Sequence, residues 1–363
     1  MADIVFDLDK AATSERLQEF ADQVIAIEKK VGMKQSSRGW CYMMENLRLI
    51  NKNQFDKVES WINRCRKEGY LPIDFVAEEQ GRQFSGVEEP TQYDPVKFMS
   101  IYVNAALHAE DHYTPDWWDG EEYYIQMIVE KIDLKNLFEP VCQKYHIPIA
   151  TGSGWQSMLQ RAIYSRRFKE AQDRGLQCVL LYAGDFDPDG LRISEFLRKN
   201  LEDLKSIRWE DGVEGYDPTD LLIRRFGLSY EFITQHKLTW IDNLYTGAGH
   251  QLAINGPNGT ILPGKTKDGK PHKNFKMQYM QDYLRKYGCR KCEANALVIR
   301  PDAARQLVES QIKILVGDDA VKRFDKKSAE VKRILDDFRE KTGMTKSLKK
   351  ALEQIRKNEK DDE

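Results

Sequence analysis

The chain has 363 residues, a formal net charge of −2, 41% hydrophobic residues and 31% charged residues, the composition of a soluble globular protein long enough for two domains. The near-neutral balance gives no whole-chain electrostatic attraction to nucleic acid, although a basic groove can exist locally. No apolar run approaches the roughly 18 residues that span a bilayer, and Met1-Ala2-Asp3-Ile4 lacks a signal-peptide pattern, so no membrane association and a cytoplasmic setting are expected.

In chain order, Leu17, Phe20, Ala21, Val24, Ile25 and Ile27 recur at helical spacing between Ala11 and Val31, with Ser14 as a cap and Gly32 as a stop. A second helix runs from Ser36 or Ser37 to about Ile50 and carries Trp40, Met43, Met44 and Leu47. A third holds Phe55, Val58, Trp61, Ile62 and Cys65. Tyr70 to Ala77 then reads as a short strand or wing, so residues 1–115 are expected to form a winged-helix-like (CAP-like) domain, a common DNA-docking topology. Arg38 and Tyr42, four apart, share one face of the second helix. A tyrosine hydroxyl is a weak nucleophile near pH 7, and a neighbouring guanidinium stabilises both the phenolate and a phosphate under attack. Taken alone, the pair is an ordinary helix face.

Gln80 to Pro95 reads as an irregular connector, Val96 to His112 as a helix, and Tyr113 to Gly120 as a turn-rich boundary. Two apolar runs follow that end in acids: Ile125 to Val129 before Glu130, and Val179 to Gly184 before Asp185-Phe186-Asp187-Pro188-Asp189-Gly190. Such runs are buried parallel strands, with a shorter strand at Ile147 to Ala150 between them and an amphipathic helix after Gly190. As parallel neighbours they bring Glu130, Asp185 and Asp187 to one carboxyl edge, where open α/β sheets build their sites. Like charges that close repel unless a cation shares them, and hard oxygen ligands without imidazole or thiolate suit Mg²⁺. The competing reading is a turn and helix cap, for which Asp, Pro and Gly are equally suited.

Downstream, Tyr230 to His236 is expected as a helix, Thr246 to Asn274 as a long polar loop, Met277 to Tyr287 as a helix, Glu293 to Ile299 as a strand, and Pro301 to Val316 as a helix. Residues 116–317 thus make an α/β domain with a parallel sheet, and 318–363 a charged helical tail. Cys289-Arg290-Lys291-Cys292 is a lone CxxC without the second pair a structural zinc needs. His108 and His112 lack the HExxH context of a zinc protease.

A Glu closing one strand and an Asp-x-Asp closing a later one resemble a TOPRIM domain, the magnesium-binding Rossmann-like module of topoisomerases, primases and some nucleases. Val129-Glu130-Lys131 and Gly184 to Gly190 are similar to the branch found in the A subunit of type IIB topoisomerases (topoisomerase VI) and its meiotic double-strand-break relatives. That branch usually has an aromatic residue where Asp189 stands, and often another aromatic where Cys41 precedes Tyr42. In it, an N-terminal winged-helix-like domain carries an Arg four residues before the catalytic Tyr, the spacing of Arg38 and Tyr42. The resemblance implies Mg²⁺-dependent cleavage of double-stranded DNA by Tyr42, with metal held by Glu130, Asp185 and Asp187, in a nucleoid-associated homodimer. The chain has no Walker A or GHKL-type ATPase stretch, so the resemblance is to a free-standing "mini-A" form, with any ATPase B-like subunit separate. The alternatives are a TOPRIM nuclease using metal-activated water and a non-catalytic DNA-binding protein.

Overall fold

A computed structural model describes residues 8, 11–31, 37–76, 94–152, 157–245, 251–266 and 268–361. The first layer is helical. Helices α1 (Ser14–Val31), α2 (Ser37–Asn46) and α3 (Phe55–Lys67) turn their apolar stripes inward, and Leu17, Phe20, Val24, Trp40, Met44 and Ile62 meet in one buried cluster. Trp40 stacks on Phe75 at 5.2 Å between ring centroids.

The wing expected after α3 is a correction. Residues 71–76 are turns and bends, not a strand. The alternating burial that suggested one is real, but two different cores cause it: Leu71, Phe75 and Val76 join the helical cluster, while Ile73 packs with Leu159, Ala162, Leu204, Ile207 and Trp209. Pro72 has no amide to donate to a ladder, and its carbonyl instead accepts from the Phe75 amide at 3.0 Å. The Ile73 amide donates to the Arg208 carbonyl at 2.8 Å.

The second layer is an α/β sheet. Strands β1 (Tyr123–Val129), β2 (Ile149–Thr151), β3 (Gln177–Gly184) and β4 (Leu222–Gly227) form a parallel sheet in the order β2-β1-β3-β4. β1 and β3 are buried almost throughout, as their unbroken apolar sequences require. The crossovers are α5 (Ile132–Lys144), α6 (Met158–Asp173, capped by Ser157) and α7 (Ile193–Glu202). Because the chain steps from β1 outward to β2 and then back across to β3, the sheet reverses direction between β1 and β3. That is the topological switch point, where open α/β sheets hold ligands.

Beyond β4 come α8 (Tyr230–Gln235), β5 (Ile241–Asp242), β6 (Leu244–Tyr245), β7 (Gln251–Asn255) and β8 (Ile261–Pro263). The long polar loop expected from Thr246 to Asn274 therefore contains β7 and β8, which join β6 in an antiparallel sheet; residues 246–250 and 267 lie outside the described residues. Next are α9 (Gln278–Tyr287) and β9 (Arg290–Lys291), then a 3-10 helix, Ala294–Ile299, where a strand was expected. Leu297 there is fully buried while the next two residues, Val298 and Ile299, are exposed. That pattern is helical rather than alternating.

The chain divides into two compact units. One comprises Met1–Gln80, Glu122–Gln143 and Ile147–Gln311, so the N-terminal helices and the parallel sheet belong together. The other comprises Gly81–Glu121, Lys144–His146 and Ile312–Glu363. It contains α4 (Pro95–Leu107), whose N-cap Asp94 accepts from the amides of Val96 and Lys97, together with α11 (Ala320–Lys341) and α12 (Met344–Asp361). Helix α10 (Pro301–Val316) runs from the first unit's segments into the second's. Within the second unit Arg339 bridges Glu110 at 2.7 Å, and Trp117 stacks on His146 at 4.9 Å. No helix of the described residues is long and apolar enough to cross a membrane.

Candidate functional site

The strand register puts the predicted acids at one edge. Val129 lies opposite Ala183, so Glu130 and Asp185 both leave their strands at the carboxyl end, on either side of the switch point. The Asp185 amide donates to Glu130 Oε2 at 2.9 Å. Asp185 Oδ1 accepts from the Ala294 amide at 2.7 Å, and Asp187 Oδ1 accepts from the Gly190 amide at 2.6 Å. Each carboxylate is thus fixed by one oxygen on a backbone N–H, which costs little because charge-assisted bonds of this kind are strong.

The electrostatics show strain between the acids. Burial, then the charge of Asp185, push the Glu130 carboxyl above its ordinary range. Asp187 is raised by burial and by the charges of Asp185 and Asp189. Close carboxylates on a dry sheet edge are what a cation would relieve, and an all-oxygen set suits a hard divalent ion such as Mg²⁺. Among the described residues, no group of three or more His, Cys, Asp or Glu side chains is arranged to hold a metal ion as it stands. Each of the three acids has one oxygen on a backbone amide and a second oxygen not engaged by that bond. Asp189, the fourth carboxylate, is exposed and accepts from the Tyr279 hydroxyl at 3.1 Å. Burial and that charge push the Tyr279 phenol up to about 12.

Several residues of the site were not anticipated. Arg225, on β4 beside Tyr182 of β3, donates to the carbonyls of Asp185 at 2.9 Å, Gly190 at 3.1 Å and Leu228 at 2.9 Å. One half-buried guanidinium therefore ties both ends of the acidic loop to the next strand. Gly190 is required by close approach: a Cβ there would collide with the Asp185 carbonyl. Burial, then the charges of Glu130 and Asp185, push the Tyr182 phenol upward, which keeps it protonated.

A further segment closes the loop from the other side. Phe186 and Cys292 form an antiparallel bridge, with the Phe186 amide donating to the Cys292 carbonyl at 2.8 Å and the reverse bond at 3.1 Å. Lys291 and Glu293 flank Cys292 on either side of that single bridge, and the Lys291 charge opposes the rise that burial imposes on the Asp187 carboxyl. Glu293 pairs with Lys291 at 3.1 Å and with Lys131, next to Glu130, at 3.5 Å. A possible signal for Lys291 was its place within the CxxC, but that motif drew attention to its thiols. All six cysteines are buried.

Arg38 and Tyr42 lie on α2, whose neighbouring Trp40, Cys41 and Met44 are buried in the helical cluster. The side chains of Arg38 and Tyr42 lie outside the described residues, so the structure brings together Glu130, Asp185 and Asp187 alone of the predicted set. No family model, curated protein or solved structure matches this chain.

Proposed function

We propose that this chain is a Mg²⁺-dependent DNA-cleaving transesterase of the type IIB topoisomerase A-subunit kind, acting on double-stranded DNA as a nucleoid-associated homodimer. The observation that supports it most is the placement of Glu130 and Asp185 at adjacent parallel strand ends across the switch point, with Asp187 electrostatically joined to both. Glu130, Asp185 and Asp187 would hold Mg²⁺, which when bound supplies positive charge to the phosphate oxygens. Tyr42, supported by its spacing from Arg38 on α2, is the nucleophile. Its phenolic oxygen bonds to phosphorus, the P–O3′ bond breaks, and the phenolic proton ends on O3′. The products are a 5′-phosphotyrosyl link and a 3′-hydroxyl. Arg38 steadies the phenolate and the phosphate. A winged-helix-like role for the N-terminal helices and a separate ATPase subunit belong to the same reading.

The test is incubation with supercoiled plasmid and Mg²⁺, followed by denaturation and detection of DNA covalently attached to protein. Wild type is expected to give an adduct that Tyr42→Phe lacks, while Asp185→Ala loses cleavage. A Tyr42→Phe variant that keeps full adduct formation refutes the nucleophile.

A nuclease reading is favoured by one fact, that the described hydrogen bonds fixing the three acids come from the sheet's own loops and from Ala294. It predicts cut DNA with no attached protein and no effect of Tyr42→Phe.

A further inference from the structure

The trio Lys131, Lys291 and Glu293 has no place in a cation site. Among the described residues Lys291 is one of the few buried charged side chains, 8% exposed, and it directly precedes Cys292, which bridges Phe186 of the acidic loop. A buried ammonium needs an anion nearby, and Glu293 serves both lysines: Oε1 for Lys291 and Oε2 for Lys131. Yet Glu293 is the most exposed of the three, its side chain 38% accessible against 10% for Lys291 and 33% for Lys131. The lysines come from two segments, the residue after Glu130 and the strand that covers the acidic loop, and their contact with this carboxylate is their meeting point. A carboxylate with one oxygen on each ammonium matches the two non-bridging oxygens of a phosphodiester. The lysine beneath is built in, and the acid above it is exchangeable.

We propose that Lys131 and Lys291 form a phosphodiester-binding subsite beside the acidic edge, and that Glu293 occupies it as an internal stand-in until a DNA phosphate displaces it. This rests on the reading of the chain as a DNA-cleaving enzyme and names the groups that receive the backbone. Glu293 therefore acts as a competitor, and removing its charge strengthens metal-free binding instead of only altering the fold.

The experiment measures binding of a fluorescently labelled DNA duplex in EDTA by anisotropy, for the full chain. Glu293→Gln is expected to tighten binding roughly five-fold or more. The charge-matched Asp318→Asn, at a side chain 90% exposed, controls for general attraction and is expected to change little. The gain is expected to vanish in Glu293→Gln combined with Lys131→Gln, which spares the buried Lys291 and so keeps the test independent of folding. The proposal is overturned if Glu293→Gln binds no better than Asp318→Asn, or if its gain survives loss of Lys131. Covalent adduct without this coupling removes the subsite alone. Coupling without adduct removes the transesterase alone, and absence of both coupling and adduct removes both.

Discussion

Asp187 carries an ionisation that the fold opposes. Its carboxyl, like that of Glu130, lies above its unfolded value, chiefly through burial. The folded chain then holds more protons than the unfolded one between those values. Cation-free stability is fully present below about pH 4, where both states are protonated, and declines as pH rises through the raised folded values. Asp187→Asn keeps an oxygen for the Gly190 amide and removes the charge. In EDTA at neutral pH it is expected to raise stability by about 1 kcal/mol and to flatten the pH dependence, while abolishing any rise in Tm on adding Mg²⁺. Thermal unfolding with and without the ion measures all three, and a fall in Tm in EDTA would contradict the repulsion inferred here. Arg225 is the opposite case. Arg225→Leu leaves the Asp185, Gly190 and Leu228 carbonyls without that donor, for an expected loss of about 3 kcal/mol by chemical denaturation.

At the scale of elements, Ile73 links two layers. It is fully buried, in a turn that follows α3, against α6 and residues 204–209. Ile73→Ala is expected to cost about 3 kcal/mol, whereas Leu47→Ala, at a side chain already exposed, costs little; urea unfolding distinguishes them. The same turn shows where sequence reading stops. β1, β3, α9 and α10 were legible because an unbroken apolar run or an apolar helical period lies within each segment itself. Leu71, Ile73 and Phe75 imitate a strand because two cores take alternate side chains. Ala294 to Ile299 has strand-like composition, but its first amide is committed to Asp185 and the segment coils. The acids at strand ends were legible from local sequence. Arg225, Lys291 and Glu293 were not, because what brings them to the site is a strand order and a bridge spanning a hundred residues.

For the whole molecule, the apolar runs ending in acids pointed to an α/β protein, and the parallel sheet agrees with that; no helix of the described residues is long and apolar enough to cross a membrane. A net charge near zero hid the local alternation of sign at the sheet edge, since acids there face lysines. The six thiols are distributed across the layers: Cys41 and Cys65 in the helical cluster, Cys142 and Cys178 around the sheet, Cys289 against residues 242–244 and Cys292 beside the acidic loop. Burial pushes Cys65 and Cys142 up to about 12, and Cys178 and Cys292 up to about 11, so alkylating reagents reach them only when their surroundings open. Nature has in effect placed a tracer in each compartment. With Ile73 as an apolar tie between the turn after α3 and α6, iodoacetamide pulses in rising urea, mapped by mass spectrometry, are expected to mark Cys41 and Cys65 before Cys142 and Cys178. Simultaneous marking of all four would mean that helices and sheet melt as one.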